Sequence, residues 1–81
     1  MTIEQLMRHH QRRPFKPFDI NLADGRSLPV EHPEFLARSP VGRTIMVGLD
    51  DGTVETVDLL LVTSLTERAN GAAKRRRPRG N

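Results

Sequence analysis

Phe18-Asp19-Ile20-Asn21-Leu22-Ala23-Asp24-Gly25-Arg26-Ser27-Leu28-Pro29-Val30 is the stretch on which the fold turns. Phe18, Ile20 and Leu22 alternate with Asp19 and Asn21, the two-residue period of a half-buried strand, and Leu28 and Val30 resume the alternation after Asp24-Gly25. The stretch therefore predicts a β-hairpin, and two loops compete for it. A two-residue Asp24-Gly25 turn sets Pro29 opposite Ile20 and Ser27 opposite Leu22. A three-residue loop, Ala23-Asp24-Gly25 with Gly25 left-handed, sets Leu28 opposite Ile20 and Val30 opposite Phe18. A one-residue slip turns every side chain to the other face, and only the second register gathers the apolar groups on one side. Pro29 has no N–H to give a ladder, so its outward side is expected at a free edge or a bulge.

Upstream, Thr2-Ile3-Glu4-Gln5 has the form of a capping box, a hydroxyl followed three residues on by an amide. Ile3, Leu6, Met7 and His10 fall on one helical face, and Glu4 near the start with Arg12 and Arg13 near the end suits the helix dipole. An amphipathic helix over 2–12 is predicted, stopped by Pro14 and Pro17, with Phe15 packing back on the core.

Downstream, His32 to Ala37 reads as one helical turn with Phe35 and Leu36 tucked inward, and Ser39-Pro40-Val41-Gly42 breaks the chain. Ile45, Val47 and Leu49 share a strand face, Asp50-Asp51-Gly52 turns, and Thr53 to Val57 returns. The spacing Leu-x-Asp-Gly-x-x-x-x-Val occurs at both Leu22 to Val30 and Leu49 to Val57, as two hairpins of similar length require. Asp58 opens a tight turn through Leu59 and Leu60 before a last strand, Leu61 to Leu65. That segment is apolar on two sides, which suggests burial against a second surface. Leu60, Leu61, Val62 and Leu65 are the residues expected at an oligomer interface.

These elements add up to one mainly β domain over 1–67 with an N-terminal α-helix and strands near 18–22, 26–31, 43–49, 53–57 and 61–65. The order matches a small five-stranded antiparallel barrel of the Sm-like or SH3-like kind, whose closed sheet hides its edges. The alternative is an open α+β antiparallel sheet with one packed helix.

Composition bounds the function. The 81 residues carry 13 Lys and Arg against 10 Asp and Glu, and no cysteine. Five of those cations, Lys74, Arg75, Arg76, Arg77 and Arg79, stand in residues 71–81 with no acid, while the first seventy residues hold eight basic and ten acidic groups. The body is mildly acidic, and residues 68–81 read as a disordered basic tail. No run approaches the roughly 18 apolar residues of a membrane span, and no apolar signal core follows the first residues, so a cytoplasmic protein away from membranes is expected.

Chemistry has little to work with. Without cysteine there is no disulfide, thiol nucleophile or zinc finger. His9 and His10 are adjacent and point about 100° apart on a helix, so they cannot share one metal, and a site would need His32 and a carboxylate such as Glu34 folded beside one of them. No serine sits in a nucleophile elbow, and Asp50-Asp51 lacks calcium-loop spacing. The expectation is no enzyme, no metal, no cofactor and no small-molecule substrate.

Two function classes remain. The tail would bind nucleic acid weakly and without sequence preference, by counterion release. Arg8, Arg12, Arg13, Arg38 and Arg43 are the body residues able to extend such a surface. Alternatively, the 59–65 segment serves protein interaction or self-association.

The string Arg13-Pro14-Phe15-Lys16-Pro17-Phe18, Leu22-Ala23-Asp24-Gly25-Arg26, His32-Pro33-Glu34, Ser39-Pro40-x-Gly42-Arg43-Thr44 and Asp58-Leu59-Leu60-Leu61-Val62-Thr63-Ser64-Leu65 resembles a family of short bacterial proteins. The resemblance covers about residues 2–66 and implies no activity, cofactor or catalytic residue. The basic end from Arg68 departs from the usual short ending of that family.

Overall fold

The computed structural model describes residues 1–68. Helix α1, Ile3–His10, starts at Thr2 through the capping box: Thr2 Oγ1 accepts from the Gln5 amide and the Gln5 side chain accepts from the Thr2 amide. Satisfying two orphan donors at once lets a helix of eight residues start cleanly. It ends at Gln11, whose N–H donates to the Met7 carbonyl, short of residue 12. Leu6 is fully buried, and Ile3 and Met7 pack beside it. Phe15 turns back to meet Phe18, ring centroids 6.0 Å apart.

Six strands follow: β1 Phe18–Leu22, β2 Ser27–Val30, β3 Leu36–Arg38, β4 Thr44–Gly48, β5 Val54–Asp58 and β6 Val62–Glu67. They form two three-stranded antiparallel sheets, β2-β1-β6 and β3-β4-β5. The protein is thus mainly β with one short N-terminal helix. Among the described residues no ladder closes the sheets into a ring, so the open antiparallel arrangement with a packed helix is what the backbone shows.

The first hairpin takes the three-residue loop. Phe18 faces Val30 and Ile20 faces Leu28, and Gly25 has φ +94°. Leu22 N–H donates to the Arg26 carbonyl and Gly25 N–H to the Leu22 carbonyl. The second hairpin repeats it: Leu49 N–H reaches Thr53, Gly52 N–H reaches Leu49, and Gly52 has φ +91°. Asp24 and Asp51 complete each loop by accepting the backbone N–H two residues on. The shared Leu-x-Asp-Gly spacing is therefore a shared turn chemistry. Pro29 lies on β2, an edge strand of its sheet, where a missing donor costs no ladder bond.

Both sheets feed one core. Phe18, Ile20, Leu22, Leu28, Val30 and Val62 come from the first sheet, Leu36, Ile45, Val47 and Val57 from the second, and Leu6 and Leu59 close it. Three details differ from the sequence reading. Leu36–Arg38 forms a short strand against β4, so the helical turn is confined to Pro33–Phe35. Phe35 is 41% exposed, and only Leu36 turns inward. The tight turn after Asp58 runs Leu59–Leu61, so β6 starts at Val62 and reaches Glu67. No helix among the described residues is long and apolar enough to cross a membrane.

Open space surrounds Gly25 and Gly52, so a methyl group at either meets nothing within 4 Å. The cost of substitution is conformational alone, about 1–2 kcal/mol for a residue forced left-handed. Gly25→Ala and Gly52→Ala should each lower stability by that amount in urea titrations, with the m-value unchanged. Gly48→Ala, which has ordinary φ and only a 3.8 Å contact, should cost less.

Candidate functional site

The leucine-rich segment separates into inward and outward groups. Asp58 accepts from Leu60 N–H at 2.9 Å and caps the Leu59–Leu61 turn, while Leu59 N–H donates to the Arg43 carbonyl. A 3₁₀ turn has three residues per revolution, so Leu59 and Val62 both face the core while Leu60 and Leu61 face out. Leu60 is 69% and Leu61 53% exposed, Val62 is buried, and Leu65 packs half-buried against the core. Of the four expected interface residues, the fold brings only Leu60 and Leu61 to the surface together.

Leu61 lines a cleft of about 80 Å³ with Leu22, Ala23, Asp24, Arg26, Thr56 and Val57. The hairpin tip is fixed beside it, because Ala23 N–H donates to the Leu61 carbonyl at 2.8 Å. Arg26 spans the rim, bonded to Asp24 at 2.9 Å and to Glu55 at 3.3 Å. The Arg26 N–H and guanidinium hold the Asp24 carboxyl below its ordinary range. The cleft has no histidine, so its polar rim is a satisfied ion-pair network. Such exposed pairs position the loop and contribute little stability.

The outer face of β2-β1-β6 is a polar ladder centred on Asn21. Its amide donates to Ser64 and Thr66 hydroxyls at 3.0 and 2.8 Å, and its oxygen accepts from Ser27 at 2.7 Å. A bulge at Thr63 lets that hydroxyl reach the Asn21 carbonyl. The next rung is Arg68. Its guanidinium, only 10% exposed, meets Asp19 at 2.8 Å and Glu31 at 2.9 Å, and its N–H donates to the Pro17 carbonyl. Burial works against its charge, yet the two carboxylates prevail and raise its pKa above the ordinary guanidinium value. The last strand ends at Glu67, and Arg68, the residue after it, docks its side chain against the sheet. The Ser64, Thr66, Arg68 alternation continues past the strand, but the acids that answer Arg68 are Asp19 on β1 and Glu31 just past the end of β2.

The histidines stand apart. His9 Nδ1 donates to the Gln5 carbonyl, and its ring lies 5.5 Å from that of Phe18. His10 Nε2 donates to the Pro33 carbonyl at 2.7 Å, which pins the Pro33–Phe35 turn to α1 and leaves Nδ1 buried without a partner. His32 sits edge-on to Phe35. Among the described residues no group of three or more His, Cys, Asp or Glu is arranged to hold a metal ion.

The body cations also divide. Arg43 pairs with Asp58, and Arg12 with Glu67. Among the described residues Arg8, Arg13 and Arg38 form no ion pair, and Arg13 donates only to backbone carbonyls. The proposed tail residues Lys74, Arg75, Arg76, Arg77 and Arg79 lie outside the described residues. No protein-family model matches this chain, and neither a curated protein nor a solved structure matches it.

Acid should weaken the turns that Asp51 and Asp58 hold. Asp58 is held below its ordinary value by the Leu60 N–H and then by Arg43, and Asp51 by the Thr53 hydroxyl and then the Thr53 N–H. A carboxyl depressed in the folded state stabilises fully above its unfolded pKa, near 3.8 here, and loses that contribution as pH falls through the lower folded value. Unfolding midpoints should hold steady from neutrality to about pH 5 and then decline. The Asp58→Asn variant, which keeps the cap acceptor but does not titrate, should show a shallower acid decline than the parent.

Proposed function

We propose that this protein is a non-enzymatic cytoplasmic binding module that attracts nucleic acid, weakly and without sequence preference, through its C-terminal basic run. The observation that carries the proposal is the run itself, five cations in Lys74 to Arg79 with no acid from residue 71 onward. Each cation that meets a phosphate releases a condensed counterion, so affinity depends on the number of charges and little on base identity. The anchored Arg68 supports the reading, because it ties the start of that segment to the body through Pro17, Asp19 and Glu31.

The body is proposed as a small Sm-like or SH3-like barrel. Strands β2 and β3 read as two halves of one sharply bent strand interrupted by the Pro33–Phe35 turn, which gives the order β6-β1-β2/β3-β4-β5. The shared core and the 3₁₀ turn between the last two strands favour that reading. The motif string also favours kinship with the family of short bacterial proteins that it resembles.

A second reading has one observation in its favour: the exposed Leu60-Leu61 pair beside the cleft suits a protein partner or a second copy. Deleting residues 71–81 should remove most binding to a labelled oligonucleotide at 50 mM salt and flatten the dependence on salt. Retention of full affinity by the shortened chain would refute the tail mechanism. For the second reading, Leu60→Ser with Leu61→Ser should abolish any association seen by light scattering while leaving the melting temperature nearly unchanged.

A further inference from the structure

Each sheet ends in two edge strands, β2 and β6 in one and β3 and β5 in the other. An edge presents a row of unpaired N–H and C=O groups, and chains that stay single blunt such rows. Three of the four are blunted here. In β2, Leu22 N–H donates to the Arg26 carbonyl, so alternation along the register makes bonded pairs of Ile20 with Leu28 and Phe18 with Val30. Pro29 therefore turns outward, where it has no N–H to offer. β3 is only three residues long. β6 is bent by the bulge at Thr63.

β5 has none of these devices. Its five residues, Val54–Asp58, pair with β4 in unbroken register and include no Pro, Gly, Lys or Arg. Leu49 N–H donates to the Thr53 carbonyl and Leu59 N–H to the Arg43 carbonyl, so the bonded pairs fall at Glu55 and Val57. The backbone groups of Val54, Thr56 and Asp58 thus point away from β4, and among the described residues no other strand pairs with that edge. The side chains beside it are exposed, Val54 by 64%. Across the sheet Ala37, Met46 and Thr56 make an exposed row without charge. The outer face of the other sheet is instead filled by its own bonds around Asn21 and Arg68.

We infer that β5 is the docking edge for a second copy of this chain, added antiparallel about a two-fold axis through Thr56. Strand length and charge choose this occupant. About that axis Val54 faces Asp58 of the second copy, Glu55 faces Val57 and Thr56 faces its own counterpart, so every outward N–H and C=O meets its complement. Each acid meets a valine, and both acids arrive already paired, Glu55 with Arg26 and Asp58 with Arg43. Threonine opposite threonine is a favourable cross-strand pair. An axis through Glu55 would set two carboxylates face to face. An axis through Val57 would leave Val54 opposite the Leu59–Leu61 turn, where no strand continues. In the joined sheet the uncharged row of Ala37, Met46 and Thr56 runs on into its copy. One strand pair buries less than the roughly 800 Å² per partner of a standard interface, so the dimer is weak. This edge is a different surface from the Leu60-Leu61 pair, and experiment separates the two.

The test is analytical ultracentrifugation of the full chain in about 150 mM KCl, which screens the like net charge of two copies. The weight-average mass of the parent should rise toward twice the monomer value between about 5 and 500 µM. Thr56→Lys alone and Thr56→Glu alone should each stay monomeric, because like charges then meet across the axis, and an equimolar mixture of the two should associate at least as tightly as the parent. Leu60→Ser with Leu61→Ser should associate as the parent does. Amide hydrogen exchange at Val54, Thr56 and Asp58 should slow as parent concentration rises, with Glu55 and Val57 unchanged. A parent that remains monomeric at 500 µM overturns the inference. So does a Thr56→Lys chain that associates like the parent, a mixture no tighter than its components, or loss of association only in the double Leu variant. Protection of Val54, Thr56 and Asp58 that does not change on dilution would put another segment of the same chain on the edge and overturn it as well.

Discussion

The register of β1 against its two neighbours constrains everything else in this molecule. Ile20 faces Leu28 on one side and Leu65 on the other, and Asn21 faces Ser27 and Ser64. Because side chains alternate, this single alignment sends Phe18, Ile20 and Leu22 into the core and Asp19 and Asn21 onto the outer face. The outer face then acquires its hydroxyl ladder and the Asp19–Arg68–Glu31 cluster. Arg68 in turn holds the end of β6 against Pro17, beside the cationic segment that follows α1. A slip by one residue would bury Asp19 and Asn21 and dismantle both.

Much of this was legible because local chemistry and global pattern agree. The period-2 alternation with Gly25 specifies the first hairpin, and the repeated Leu-x-Asp-Gly specifies the second. Thr2 with Gln5 marks the helix start, and Asp58 marks the turn that precedes the last strand. Each signal is contained within a few residues, so one sequence suffices to read it.

The misses required information from elsewhere in the chain. Leu36–Arg38 is too short to show alternation, and β4 alone makes it a strand. The outward placing of Leu60 and Leu61 depends on the turn lasting one residue longer, which separates them from Val62 and Leu65. Phe35 is left half outside because His10 fixes Pro33 at the end of α1. The candidate site was legible as composition, in the basic run, but not as geometry: nothing in sequence order brings Glu67 and Arg68 to Lys16 and Pro17.

The functional reading thus depends on where charge is placed, more than on how much there is. A pI of 10.6 suggests a uniformly basic protein, whereas five of the cations stand in residues 71–81 and the first seventy residues are mildly acidic. The most direct measurement is an amide chemical-shift map of the full chain titrated with a 20-base-pair duplex. The account predicts perturbations centred on residues 71–81 that fade as salt rises, with Leu60, Leu61 and the Asp50 to Gly52 turn unmoved. Perturbations centred on Leu60 and Leu61, or absent from residues 71–81, would contradict it.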